Sequence, residues 1–78
     1  MIELYQKESC PYCAKVRAKL DDLQLDWISR TCPKGSPQRE FLLKLGGKEM
    51  VPFLVDQDHG TSMYESDDII EYLEKTYG

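Results

Sequence analysis

The sequence lacks any long apolar run. None of its segments approaches the roughly 20 apolar residues that a membrane-spanning helix needs. The first residues, Met-Ile-Glu-Leu, also lack the basic and then apolar segment of a secretory signal. We therefore expect no membrane partner and a cytoplasmic location. With 78 residues and no linker, repeat or low-complexity segment, residues 1–78 are expected to form one domain.

A basic, aromatic-rich surface is also missing. The chain has 10 Lys and Arg against 14 Asp and Glu, a net charge of −4 at pH 7. Residues 1–48 carry nine of the basic residues and six acidic ones, whereas residues 49–78 carry one Lys and eight acidic ones. Because the basic residues are scattered, the pattern disfavours a nucleic-acid partner. Most of these charges are expected on solvated helix faces.

Cysteines are few and odd in number, which disfavours a disulfide scaffold. Two of the three form a Cys-Pro-Tyr-Cys motif at Cys10 and Cys13. The same spacing occurs in zinc knuckles and structural disulfides, so the motif alone leaves these alternatives open. Zinc would need two more ligands, and Cys32 and His59 are the remaining soft candidates, spaced unlike a knuckle. We interpret Cys32 as a small buried residue, with a regulatory thiol as the alternative, and His59 as a turn residue.

The context of the motif favours a redox dithiol. A strand-like run at residues 2–5 precedes it, and a helical pattern follows in which Cys13, Val16, Leu20 and Leu23 share a face. Ser9 is predicted to cap this helix, and Pro11 is tolerated in its first turn.

A helix N-terminus stabilises an anion through its unpaired N–H groups and its dipole. We therefore expect a lowered pKa for Cys10, which becomes the nucleophilic thiolate, and Lys7 and Lys15 add positive charge nearby in sequence. Cys13 lies one turn further on and on the apolar face. It is predicted to be more buried, less ionised and the resolving thiol.

The remaining chain alternates strand and helix signals. Ser36 is expected to cap, and Pro37 to begin, a second helix that Gly46 and Gly47 end. Ser66 is expected to cap a third helix that carries Asp67 and Asp68 in its first turn. The other predicted elements are strands at 27–30, 51–55 and 61–64, a loop at 31–37 and a turn at 56–60. The apolar face of the second helix is predicted to consist of Phe41, Leu42 and Leu45. That of the third helix is predicted to consist of Ile69, Ile70, Leu73 and Tyr77. Trp27 and Phe41 are interpreted as core aromatics.

The predicted order is β-α-β-α-β-β-α. The first βαβ unit favours parallel pairing, and the short turn between the last two strands makes them antiparallel. An α/β fold with a four-stranded mixed sheet flanked by three helices would bury all three helix faces. This is the minimal thioredoxin fold.

Residues 5–13, Tyr-Gln-Lys-Glu-Ser-Cys-Pro-Tyr-Cys, resemble the active-site stretch of glutaredoxins. Val51-Pro52 is similar to that family's valine and cis-proline, and Ser66-Asp67-Asp68 to its small residue and paired acids. Met50 stands where glutaredoxins usually have threonine. The segment from Met63 to Leu73 resembles equally the glutathione-binding N-terminal domain of glutathione transferases.

The resemblance implies a glutathione site. A cis peptide before Pro52 would direct the Val51 backbone towards the cysteinyl part of glutathione. The Ser66 N–H would bind the γ-glutamyl carboxylate, and the Asp67 carboxylate its α-amino group. The other implied contacts are Lys7, helped by Arg39, on the glycine carboxylate and Tyr12 beside the sulfur.

The resemblance further implies a glutathione-dependent thiol-disulfide oxidoreductase with Cys10 and Cys13 as catalytic residues. Glutathione would be a co-substrate, with no permanently bound cofactor and no metal. The implied partners are glutathione and glutathionylated or disulfide-containing proteins, and the chain is expected to be a monomer. Two alternatives stay open, a glutathione-binding module with little turnover and an iron–sulfur cluster carrier.

Overall fold

One four-stranded sheet and three helices account for most of the computed structural model, which describes residues 1–78. The elements in chain order are β1 (Ile2–Gln6), α1 (Pro11–Asp22), β2 (Trp27–Thr31), α2 (Pro37–Gly46), β3 (Phe53–Asp56), β4 (Thr61–Tyr64) and α3 (Ser66–Tyr77), with a 3₁₀ turn at Gln57–His59 between the last two strands. No helix combines the length and the apolar character needed to traverse a lipid bilayer.

The sheet is mixed, with strand order β2-β1-β3-β4. β2 runs parallel to β1, β3 runs antiparallel to β1, and β4 runs antiparallel to β3. This arrangement confirms the thioredoxin fold predicted from the element order. The third strand begins two residues later than predicted, at Phe53, since Pro52 has no N–H to donate to a neighbouring strand.

The larger core lies on the sheet face that α1 and α3 cover. Successive residues of a strand point to opposite faces, so Ile2 and Leu4 of β1 enter this core together. Its members are Ile2, Leu4, Val16, Leu20, Leu54, Ile69 and Leu73. Trp27, Ile70 and Tyr77 are only partly buried and pack against its edge. The predicted apolar faces of the first and third helices are therefore confirmed.

The smaller core lies under α2 and differs from its prediction. It contains Tyr5, Cys32, Leu42 and Phe53. Phe41 and Leu45 were expected to share the buried face with Leu42, but they are 54% and 49% exposed. The prediction of Phe41 as a core aromatic is wrong, because α2 turns the Arg39–Leu42 side towards the sheet and leaves Phe41 at the rim, its ring 6.3 Å from that of Tyr5.

Helix caps were predicted correctly for α2 only. The Ser36 hydroxyl accepts a hydrogen bond from the Arg39 N–H at 3.2 Å, and Gly47 ends the helix with a φ of 90°. Ser9 does not cap α1, because it lies in the turn closed by the hydrogen bond from the Cys10 N–H to the Lys7 carbonyl, and Cys10 is the N-cap.

The predicted cap of α3 is also wrong. Ser66 is already the first helical residue, and its N-cap is Glu65 with a φ of 71°.

Asp56, at the end of β3, joins the last helix to the sheet. Its side chain is fully buried, and one carboxylate oxygen, Oδ2, accepts hydrogen bonds from the hydroxyls of Tyr72 at 2.6 Å and Tyr77 at 2.7 Å. The ring nitrogen Nδ1 of His59 lies 3.0 Å from the same oxygen. His59 is thus an exposed residue of the turn, as predicted, and belongs to this cluster.

Candidate thiol site and the adjoining cleft

The two cysteines of the motif occupy different environments at one helix end. Cys10 is the N-cap residue of α1 and is partly exposed, whereas Cys13 lies within the first turn and has no exposed surface. Pro11 begins the helix, where its missing N–H leaves no hydrogen bond broken. The predicted placement of an accessible first thiol and a buried second thiol is confirmed.

These environments shift the two thiol pKa values in opposite directions. Burial opposes ionisation of Cys10, but the backbone N–H groups of Cys13 and Tyr12, the Cys13 thiol and the positive charge of Arg17 outweigh it and lower the Cys10 pKa. Burial, reinforced by the neighbouring Cys10 sulfur, raises the pKa of Cys13 to about 11. Ionisation is therefore easier at Cys10 than at Cys13.

The positive charge that favours the Cys10 thiolate comes from a residue outside the predicted set. Lys15 forms an ion pair with Asp67 at 3.0 Å, and Lys7 forms no ion pair. Arg17, seven residues after Cys10, is the cation that favours ionisation of both thiols. Helical spacing in the sequence could have indicated Arg17, because Cys10, Cys13 and Arg17 stand at positions i, i+3 and i+7, which share a helix face.

A cleft of about 280 Å³ lies between the start of α1, the segment before β3 and the start of α3. Five of the seven predicted glutathione-binding residues line it, and they are Tyr12, Val51, Pro52, Ser66 and Asp67. The Val51–Pro52 peptide is cis, as the resemblance implied. No hydrogen bond within the chain engages the Val51 backbone, so its N–H and C=O are free to pair with a ligand.

The other two predicted contacts do not line the cleft. Arg39 is only 7% exposed, and its guanidinium donates to the Cys32 carbonyl and the Glu49 carbonyl, both at 3.0 Å. This side chain holds the segment before β3 against α2 instead of facing a ligand. Lys7 contributes its backbone carbonyl to the turn that ends at Cys10, and its side chain is also outside the cleft.

Two cleft residues were absent from the predicted set. Met50 lines the cleft beside Val51, and Glu65 lines it beside Ser66. Glu65 has a positive φ, a conformation that non-glycine residues adopt rarely and often at functional sites. The signal for both was adjacency to predicted residues.

Asp67 shares its carboxylate with a neighbour. Its ion pair with Lys15 is exposed on both sides, at 85% and 51%, so solvent screens it and a ligand amine can compete.

A further feature concerns the zinc and iron–sulfur alternatives. No group of three or more His, Cys, Asp or Glu side chains lies close enough together to hold a metal ion, and this covers the three cysteines with His59.

A larger groove of about 490 Å³ lies between α2 and the sheet and includes Tyr5, Phe41 and Leu45. None of the predicted site residues lines that groove.

Residues 4–78 match the model of the glutathione S-transferase N-terminal domain. The chain belongs to this family. It is also 30% identical over 59 residues to glutaredoxin 3 of Escherichia coli strain K12, an alignment that covers 74% of this chain and 71% of that protein. Both similarities fall within the thioredoxin superfamily, so the resemblance stated from the sequence is confirmed.

Solved structures of glutathione transferases are similar over the whole chain. A delta-class glutathione transferase of Nilaparvata lugens matches with a TM-score of 0.88 and 28% identity, over 100% of this chain and 37% of that one. A glutathione transferase homologue of Drosophila mojavensis, solved with bound glutathione, matches with a TM-score of 0.87 and 28% identity, over 99% of this chain and 35% of that one. This family member therefore spans little more than a third of the transferases that it matches.

Proposed function

We propose that this chain is a glutathione-dependent thiol-disulfide oxidoreductase, with Cys10 as the nucleophile and Cys13 as the resolving thiol. Its substrates are glutathione mixed disulfides and protein disulfides. The proposal includes a cytoplasmic location, where thiols are kept reduced.

The different placement of the two thiols is the observation that carries this proposal: Cys10 is partly exposed at the N-cap of α1, and Cys13 is buried in its first turn. A lowered pKa at the partly exposed Cys10 increases the fraction of thiolate, the form that attacks a disulfide. A pKa of about 11 at the buried Cys13 keeps that thiol from competing for the substrate. A structural disulfide would not require this difference.

The cleft supports glutathione as the co-substrate. The first N–H groups of α3 are unpaired within the helix and suit the γ-glutamyl carboxylate, while the acidic Glu65 and Asp67 suit its amine. The free Val51 backbone can pair with the cysteinyl unit as a neighbouring strand would. Tyr12, which is 60% exposed, offers an apolar surface beside the sulfur.

The reaction proceeds by thiolate exchange. The Cys10 thiolate attacks the glutathione sulfur of a mixed disulfide, an S–S bond forms between Cys10 and glutathione, and the substrate leaves as a thiolate that takes a proton from solvent. A second glutathione thiolate then attacks the bound glutathione sulfur, which releases glutathione disulfide and restores the Cys10 thiolate. With a protein disulfide, the Cys10 thiolate attacks one sulfur and releases the other as a thiolate that takes a proton from solvent. Cys13 then loses its proton and attacks the Cys10 sulfur, which releases the second substrate thiolate and leaves a Cys10–Cys13 disulfide. Two glutathiones reduce this disulfide and leave as glutathione disulfide.

The test is the glutathione-dependent reduction of a small glutathione mixed disulfide. We expect Cys10→Ser to abolish turnover and Cys13→Ser to retain it, because glutathione can discharge Cys10 without the second thiol. Cys32→Ala is the matched control, since this third thiol is buried under α2 outside the cleft and its removal should leave turnover unchanged. Equal activity of wild type and Cys10→Ser would contradict the proposal.

The family match favours a second candidate, a glutathione-binding module with little turnover. The matched transferases are nearly three times as long as this chain, so more than half of each lies outside the region of similarity. Calorimetry with glutathione separates the two functions. Binding without Cys10-dependent reduction would support the module, whereas binding together with reduction supports the oxidoreductase.

A further inference from the structure

Arg17 is held in place by two hydrogen bonds on the thiol side of α1. One guanidinium nitrogen, Nη1, donates to the Gln6 Oε1 at 2.6 Å, and the other, Nη2, donates to the Glu8 carbonyl at 3.2 Å. Glu8 belongs to the turn that the Cys10 N–H closes onto the Lys7 carbonyl. The guanidinium therefore contacts the turn that presents the nucleophile.

Gln6 is itself held in place by a hydrogen bond to β2. It is 4% exposed, and its amide Nε2 donates to the Ser29 hydroxyl of β2 at 2.9 Å. Its oxygen is thereby directed towards Arg17, since the nitrogen is already used as a donor. The result is a clamp that runs from Ser29 through Gln6 to Arg17 and joins β2, β1 and α1. Neither Gln6 nor Ser29 carries charge, so the clamp does not neutralise the guanidinium.

We infer that Arg17 is a positioning residue of the thiol site: Gln6 holds its guanidinium against the turn before Cys10, where its charge stabilises the thiolate and its Nη2 orders the turn. This role rests on the proposed function as far as turnover is concerned. Arg17 also shares a helix face with Cys10 and Cys13, at spacings of seven and four residues. Its contribution to the lowered Cys10 pKa agrees with this geometry.

Other charges around Cys10 do not take this role. They lie in the turn before it, along α1, in the segment before β3 and at the start of α3, and are Lys7, Glu8, Lys15, Lys48, Glu49, Glu65, Asp67 and Asp68. The acidic groups outnumber the basic ones, and Lys15 is paired with Asp67. Among the cations, only Arg17 favours the Cys10 thiolate directly.

The experiment is the pH dependence of Cys10 alkylation by iodoacetamide, followed by peptide mass spectrometry on the folded protein without glutathione. The inflection of the rate–pH profile reports the pKa of Cys10. For Arg17→Gln we expect this inflection to rise by about 0.5–1 pH unit, which slows alkylation at pH values below it about three- to tenfold. Arg17→Lys keeps the charge but not the two-pronged contact, and should restore part of the shift. Lys19→Met is the matched control, because it removes a cation of the same helix that pairs with Glu74 at 2.6 Å.

Coincident profiles for wild type and Arg17→Gln would overturn the inference, as would an equal shift in Lys19→Met. Gln6→Met provides a second test if Arg17→Gln fails to fold by circular dichroism. It keeps the charge and frees the guanidinium, so the inflection should rise by a smaller amount, and no rise would contradict the clamp.

The assay also separates this inference from the proposed function. A low, Arg17-dependent inflection without glutathione-dependent turnover would leave the thiolate clamp valid and refute the oxidoreductase. Glutathione-dependent turnover with an alkylation inflection that Arg17→Gln does not change would support the oxidoreductase and refute the role of Arg17.

Discussion

At the scale of single residues, the same side chain acquires different chemistry from its position. Cys10 ends up as an N-cap with N–H groups and a cation nearby, whereas Cys13 and Cys32 are buried with raised pKa values. The Cys32 thiol lies 3.7 Å from the Gln6 carbonyl in the smaller core. This burial agrees with the interpretation of Cys32 as a core residue rather than a regulatory thiol.

The Asp56 cluster makes a prediction about stability and pH. Burial opposes ionisation of Asp56, but the hydrogen bonds from Tyr72, Tyr77 and His59 outweigh it and lower its pKa in the folded state. A lowered folded pKa stabilises the protein above the unfolded pKa, about 3.9, and this contribution is lost as the pH falls through the folded value. Asp56→Asn should therefore reduce the free energy of unfolding at pH 7 by about 2–4 kcal/mol.

Urea denaturation of wild type and Asp56→Asn at several pH values checks this. The difference between them should persist at pH 5 and above and shrink below about pH 4. Tyr77→Phe, which removes one of the three donors, is expected to cost about 1–2 kcal/mol. A difference that grows towards low pH would contradict the assigned ionisation.

At the scale of elements, α2 depends on few buried contacts. Arg39 and Leu42 are its only buried residues, and Arg39 holds the segment that leads to the cleft. Tyr64 of β4 holds the preceding residue of this segment, since its hydroxyl donates to the Lys48 carbonyl at 2.8 Å and accepts from the Lys48 N–H at 3.1 Å. The chain that leads into the cleft wall at Met50 and Val51 is thus fixed by α2 and by β4.

Neighbouring apolar residues of α2 should differ in their importance for stability. Leu42→Ala is expected to lower the free energy of unfolding by about 2–4 kcal/mol, because Leu42 has no exposed surface. Phe41→Ala should cost less than about 1 kcal/mol, because its ring is mostly exposed. Thermal and urea denaturation of the two variants measures the contrast. Equal losses would indicate that Phe41 is buried in solution.

The contact between α2 and β4 leaves no room at Gly46. An added Cβ would overlap the Tyr64 hydroxyl oxygen, which its two hydrogen bonds to Lys48 hold in place. Gly46→Ala should therefore destabilise the protein by about 1–3 kcal/mol and weaken binding in the cleft.

The double variant Gly46→Ala with Tyr64→Phe is the control for this contact. It removes the hydroxyl and should lose less than the sum of the two single variants in a denaturation cycle. Strict additivity would mean that the two residues do not collide.

At the scale of the whole molecule, the two sheet faces are covered unequally. Two helices and the larger core protect one face, and α2 with the smaller core covers the other. β1 and β3 are the central strands, while β2 and β4 each have one free edge. The thiols and the cleft lie where the starts of α1 and α3 approach the segment before β3.

This asymmetry predicts the order of local opening. In native-state hydrogen exchange, amides of β1, β3 and the middle of α1 should exchange only through global unfolding, whereas α2 should open at a lower free energy. Addition of glutathione should slow exchange at the segment before β3 and the start of α3 if the proposed site is correct. Uniform protection across α1 and α2 would contradict the predicted difference.

Local signals in the sequence determined the element order, the parallel pairing of β1 with β2, the antiparallel pairing of β3 with β4 and the thiol pair at a helix start. Periodicity, proline, glycine and the Cys-Pro-Tyr-Cys motif act over a few neighbouring residues, so their structural meaning can be inferred without knowledge of the fold. Most of the cleft followed from the resemblance, because its residues lie within the matching motifs.

Only the tertiary structure decided which side of α2 is buried, where Arg39 points and which cation serves Cys10. Each depends on packing between residues distant in sequence: Arg39 reaches Glu49, and Arg17 reaches Gln6, which Ser29 holds. A short apolar run on a helix cannot report which residues the sheet will cover. The position of a charge relative to a thiol is likewise set by the assembled strands, because electrostatic interactions depend on distance in space rather than along the chain.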